Sequence, residues 1–260
     1  MIVAKDGSGD FNTVQEAINS IPFGNQKRIV INIKNGIYKE KIFVDMNNIM
    51  LIGENEFNTI LTYDDHAYKL FPNGEKMGTF NSFSTFIGGD NFIAQNITFE
   101  NSSGCGDTYG QAVAIYVDGD KAKFKDCEIF SNNRDKSVNG YITAASTIEG
   151  ERFGYVFIDC KLLSDAKPNS VYLGRPWRDY AKTTFINCFM GEHIAQIGWH
   201  NWDRLVTQST TSYEEYNSLG PGGNLRNRVT WAKTLTDEEV KEYTPGNIFG
   251  LDFNYEFYKS

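Results

Sequence analysis

A chain of 260 residues with a formal net charge of −8 lacks the clustered Lys and Arg that phosphate binding requires, which excludes nucleic acid as a partner. Its 40% hydrophobic and 22% charged residues suit a globular protein, and 6 prolines with no Ser/Gly-rich tract leave no linker, so a single domain over 1–260 is expected. No apolar run approaches the roughly 18 residues that cross a bilayer, so no membrane partner is expected.

Ile2-Val3-Ala4 reads as a first strand with no signal peptide before it. The expected location is therefore the cytoplasm, or outside the cell with the signal already removed. Thr13-Val14-Gln15-Glu16 has the form of a capping box, and apolar Val14, Ala17, Ile18 and Ile21 follow on one helical face. A helix there would cover an open sheet edge that would otherwise invite aggregation. Ile29-Val30-Ile31-Asn32-Ile33, Met50-Leu51-Ile52 and Thr59-Ile60-Leu61-Thr62 predict short strands, and 24 glycines with many asparagines predict tight turns.

Repetition follows. Phe124-Lys125-Asp126-Cys127, Phe157-Ile158-Asp159-Cys160 and Phe185-Ile186-Asn187-Cys188 share the form Phe-x-(Asp/Asn)-Cys, with Phe99-Glu100-Asn101 as a looser copy. Spacings of 33 and 28 residues suit coils of one solenoid with loops of unequal length, each burying its apolar face by stacking on its neighbours. Cys105, Cys127, Cys160 and Cys188 lack CxxC or metal spacing, and the repeat predicts stacked buried thiols instead of disulfides. Thr236-Asp237-Glu238-Glu239 repeats the capping pattern, so a C-terminal tail with a short helix is expected. The fold class is all-β, a parallel β-solenoid.

Several chemistries lack support. There is no Gly-x-Ser-x-Gly elbow. His66, His193 and His200 are scattered without metal-ligand spacing, and no acidic cluster suggests calcium, so neither metal nor other cofactor is expected. Arg175, inside Leu173-Gly174-Arg175-Pro176-Trp177, needs a partner or a ligand if it is buried.

Gly36-Ile37-Tyr38-Lys39-Glu40, Gln111-Ala112-Val113-Ala114-Ile115 and Leu173–Trp177 occur in that order. Ala4–Phe11, Gly140–Ser146, Gly198–Trp202 and Tyr213–Gly222 add further blocks. Together they resemble the motif set of the pectin methylesterases (pectinesterases), which remove methyl groups from galacturonate esters in pectin. The resemblance implies a right-handed parallel β-helix with a long substrate cleft. It also implies a reaction in which one aspartate attacks the ester and a second protonates the departing methanol, then activates water. Glutamines stabilise the oxyanion and an arginine holds the nucleophile. By motif, Gln111 matches an oxyanion glutamine, Arg175 the arginine, and Trp177 the aromatic wall under a sugar ring. Tyr38 and Glu40 are expected to be scaffold.

The family's aspartates lie in Gln-Asp-Thr-Leu and Asp-Phe-Ile-Phe-Gly blocks between the second and third motifs, and neither block occurs here. Glu128-Ile129-Phe130-Ser131 runs almost directly into Asn139-Gly140-Tyr141-Ile142, as though roughly 40 residues, about two solenoid units, had been cut out. Asp135 is the nearest substitute acid, although a one-residue slip turns a strand side chain to the opposite face. Asp107, before Gln111, is a second candidate. Trp199 and Trp202 could extend a sugar platform or pack the loops. The expectation is a scaffold that recognises methyl-esterified homogalacturonan (pectin or oligogalacturonide) with ester hydrolysis weak or lost. The alternative is an active esterase using Asp135 or Asp107.

Overall fold

The computed structural model describes residues 1–104, 106–119, 121–130, 138 and 140–249, apart from the side chains of Asp107, Phe130 and Phe249. The chain winds into a right-handed parallel β-helix whose coils contribute one strand to each of three faces. The first sheet stacks Ile2–Val3, Ile29–Ile33, Ile49–Gly53, Ile93–Gln95, Lys123–Lys125, Tyr155–Ile158, Lys182–Ile186, Ser212–Tyr216 and Lys233–Thr234. The second runs from Gly36–Lys39 to Phe189–Met190.

The repeats mark the corner between these sheets. Asp126, Asp159 and Asn187 have φ of 50°, 53° and 53°, a left-handed turn that Asp and Asn tolerate best among residues with a side chain. The preceding phenylalanines stack inward in register, Phe124 on Phe157 at 5.2 Å and Phe157 on Phe185 at 4.7 Å. Cys127, Cys160 and Cys188 are buried free thiols one coil apart, and Cys160 and Cys188 donate to the carbonyls of Phe124 and Phe157. Cys105 lies outside the described residues. The looser copy is displaced from its expected place. Ala94 pairs with Phe124 and Asn96 takes φ of 55°, so the equivalent turn is Ala94-Gln95-Asn96-Ile97, while Phe99 pairs with Ile129 in the second sheet.

Helix α1, Val14–Asn19, closes the N-terminal end, with Thr13 and Glu16 forming the reciprocal capping box. Glu40 is scaffold: its two carboxylate oxygens accept from Val14 N and Gln15 N at 2.9 Å. Tyr38 is buried, its hydroxyl donating to the Lys34 carbonyl at 2.9 Å. At the other end Thr236 and Glu239 bond as a capping box, but Glu239–Glu242 winds as a 3-10 turn. The residue before a proline disfavours α geometry, so the turn stops short of Thr244. A separate helix starts at Pro245 and runs Pro245–Phe249.

The third face is interrupted. Ile42–Val44, Thr85–Ile87 and Ile115–Val117 make one ladder, and Gly140–Ala145 with Val171–Pro176 another. Among the described residues these ladders do not pair with each other. The first and second sheets pass through the same coils unbroken, Phe124 pairing with Phe157 and Ile129 with Leu162.

Candidate functional site

The interruption opens a cavity of about 670 Å³. Its inner wall reaches the solenoid core at Phe124, Ile129 and Phe157. Tyr155, which also lines it, donates its hydroxyl across the break to the Val117 carbonyl, and burial raises its pKa.

Gln111, Arg175 and Trp177, separated by up to 66 positions in the chain, all line this cavity. Arg175 projects from Val171–Pro176, which pairs with Gly140–Ala145 in the second ladder. Its guanidinium lies 3.3 Å from the ring centroid of Trp202, 5.1 Å from that of Tyr141 and 5.5 Å from that of Trp177. Tyr141 is held by a 3.0 Å bond to His200 Nδ1 and by stacking with Tyr172 and His200. Arg175 Nη1 is buried and has no hydrogen-bond partner, and burial lowers the guanidinium's pKa from its usual value. No carboxylate among the described residues lies within ion-pair distance of it. The three rings give the guanidinium cation–π contacts but no hydrogen-bond acceptor for Nη1.

The motif glycine is required by packing. A Cβ at Gly174 would meet Thr143 Oγ1 at 2.3 Å and the Trp199 ring at 3.0 Å. Trp199 is fully buried, stacked on Tyr213 at 4.2 Å with its indole N–H on Glu215, so it offers no face to a sugar. Trp202 does. It is 41% exposed, lines the cavity and lies 5.9 Å from Trp177, itself 39% exposed. The sequence weighs Trp199 and Trp202 equally, because neighbouring tryptophans give no sign of which one turns inward.

Among the described residues one carboxylate lines the cavity, Asp118, exposed at the end of Ile115–Val117. Sequence reasoning passes over it, since no motif marks it. Asp107 lies in the short helix α2, Gly106–Tyr109, whose Gly106 and the following Gly110 line the wall. Asp135 lies outside the described residues. Asp126 and Asp159 serve the corner turns.

The Pectinesterase family model matches residues 1–133 and 121–252. The chain belongs to the pectinesterase family. Pectinesterase 31 of Arabidopsis thaliana is 33% identical, with 93% of this chain and 89% of that protein covered. Pectin methylesterase from carrot superposes with a TM-score of 0.64 at 30% identity, covering 97% of this chain and 93% of that one. A pectin methylesterase carrying one Asp-to-Ala mutation, solved in complex with a hexasaccharide, gives a TM-score of 0.62 at 26% identity and 97% coverage of both chains. These pectinesterase relatives share the parallel β-helix.

Proposed function

We propose that this pectinesterase-family chain binds methyl-esterified homogalacturonan at the cavity and hydrolyses the ester weakly or not at all. The observation that carries the reading is Arg175: a caged, half-buried guanidinium without a carboxylate among the described residues, in the same wall as Gln111 and Trp177. A free galacturonate carboxylate would pair with the accessible part of the guanidinium through charge-assisted hydrogen bonds. In this reading Gln111, exposed in the cavity lining, donates to an ester oxygen, and the Trp177 and Trp202 faces, which line the same cavity, wall the sugar.

Hydrolysis by the family's route needs two carboxyl groups with divided labour, a nucleophile and a proton donor. Asp118 can supply at most one. Losing general acid–base assistance alone commonly costs roughly 10²–10⁴ in rate. Two further observations support excision of the acid-bearing coils. The family match comes in two pieces that meet over 121–133. The 285 aligned positions with Pectinesterase 31 take in 93% of these 260 residues, about 242, so about 43 positions fall where this chain has none. Oligosaccharide binding has a parallel in the relative with one aspartate changed to alanine, solved with a hexasaccharide.

The second reading, an active esterase with a relocated carboxylate, is favoured by one observation: the helix carrying Asp107 contributes Gly106 to the cavity wall. Calorimetric titration with partially methyl-esterified oligogalacturonide, alongside methanol release by Asp107→Ala, Asp118→Ala and Asp135→Ala, separates the two. Binding that disappears in Arg175→Ala, with no methanol from any form, is expected. Turnover abolished by one carboxylate substitution establishes the second reading instead.

A further inference from the structure

At the break the solenoid replaces a backbone contact with a side chain. Val44, Ile87 and Val117 end three successive strands of the first ladder in register. In the first two coils the carbonyl at this position accepts from the coil that follows. Val44 O takes the amides of Gly88 and Gly89 at 2.9 and 3.0 Å, and Ile87 O takes those of Asp118 and Gly119 at 2.8 and 3.1 Å. Past the break the pattern resumes, with Ala145 O accepting from Trp177 N at 2.9 Å and Arg178 N at 3.4 Å. Val117 is the exception: its carbonyl accepts the Tyr155 hydroxyl. Tyr155 precedes Val156 as Ala122 precedes Lys123, and Val156 pairs with Lys123, so the small Ala122 lies beside the ring one coil back. Burial raises the phenol's pKa, so the hydroxyl keeps its proton and remains a donor. A second cavity, of about 110 Å³, adjoins the first, and Val117, Asp118, Ser146 and Tyr155 line both.

Among the described residues Ile115–Val117 and Gly140–Ala145 do not pair, although the other two strands of their coils pair directly. Paired strands lie about 4.8 Å apart, and an unpaired strand edge is a template for any edge within reach. Something must therefore keep these two edges from closing. We propose that Tyr155 is a positioning residue that sets the width of the cavity. Its ring is the spacer between the two ladders, and its hydroxyl, standing in for the following coil's amides, ties down the end of the first. Gln111 leads into the first ladder and Arg175 projects from the second, so the brace fixes how far apart the two walls stand. The spacing itself is independent of any ligand. Its consequence for affinity rests on the binding reading above.

The test is amide hydrogen exchange on the parent chain, Tyr155→Phe and Tyr155→Val, paired with binding of galacturonate monomer and of its partially methyl-esterified trimer. Thermal melts check that each variant is folded. Tyr155→Phe keeps the spacer and loses the tie, so the amides of 115–119 should exchange about two- to tenfold faster. Those of Ile29–Ile33, remote from the break, should exchange as in the parent. Tyr155→Val loses spacer and tie together, so the edges meet and amides within Gly140–Ala145 should gain at least about tenfold protection. Both variants should keep the monomer's affinity for Arg175 and lose the trimer's gain from reaching both walls, whereas a merely weakened fold would lower the two alike. Parent-like exchange at 115–119 in Tyr155→Phe overturns the brace, whether or not Tyr155→Val folds. A folded Tyr155→Val without added protection at 140–145 overturns the spacer, and equal loss of monomer and trimer overturns the positioning role. Exchange that changes as expected in a chain that binds neither ligand upholds the brace and overturns the binding reading instead.

Discussion

Arg175 and His193 both bury side-chain nitrogens without hydrogen-bond partners. Arg175 Nη1 has no hydrogen-bond partner, so its burial carries a desolvation cost set against the cation–π contacts of the cage. Arg175→Met is therefore expected to leave the melting temperature unchanged or raise it while lowering oligogalacturonide affinity at least tenfold, since a hydrogen bond to a charged group contributes about 1.5–3 kcal/mol. Arg175→Lys should not rescue binding, because an ammonium keeps the charge but lacks the planar fork and stacking surface. His193 is fully buried with both ring nitrogens unpartnered, and burial holds its pKa down at about 4. Its unfolded value is near 6.5, so the unfolded chain binds the proton first as pH falls. His193 thus leaves stability intact above about pH 6.5 and removes up to about 3 kcal/mol as pH falls from there through 4. Denaturant titrations between pH 4 and 7 should show that slope in the parent and a flatter one in His193→Leu. The motifs made Arg175 legible in the sequence. His193 was not, because burial without a partner leaves no pattern in residue order.

At the scale of elements, what was local was legible. The capping box at Thr13 and the Asp/Asn corners are decided by a few consecutive residues, and both form as expected. The missed corner at Asn96 has Ala94 and Ile97 where the later copies carry Phe and Cys, so only the register exposes it. Contacts between distant segments were also hidden. Glu40 stands 25 residues beyond Gln15 yet receives the first two amides of α1. Glu40→Ala should cost about 1–3 kcal/mol through those two orphaned donors, read as a shift in denaturant midpoint with no change in slope. Gly174 is fixed by the Thr143 hydroxyl and the Trp199 ring above its Cα. Gly174→Ala should destabilise by about 1–3 kcal/mol through overpacking, and adding Thr143→Ala should recover part of the loss.

For the whole molecule, the order of motifs shows the family and the solenoid, since each coil needs only its neighbours and the frame survives removal of whole units. What the order could not show is that the described residues of the third face would form two separate ladders. Two sheets run from coil to coil without a break while, among the described residues, Ile115–Val117 and Gly140–Ala145 do not pair and both line the cavity. Grafting the corresponding acid-bearing coils of a pectinesterase relative between Phe130 and Gly140 should therefore restore methanol release without loss of folding. The most direct measurement is simpler: methanol released from highly methyl-esterified pectin by the unaltered chain, at concentrations where calorimetry shows the ligand bound. Binding with methanol at the level of the protein-free control is the predicted result. Sustained release that a single substitution at Asp107, Asp118 or Asp135 abolishes would contradict it.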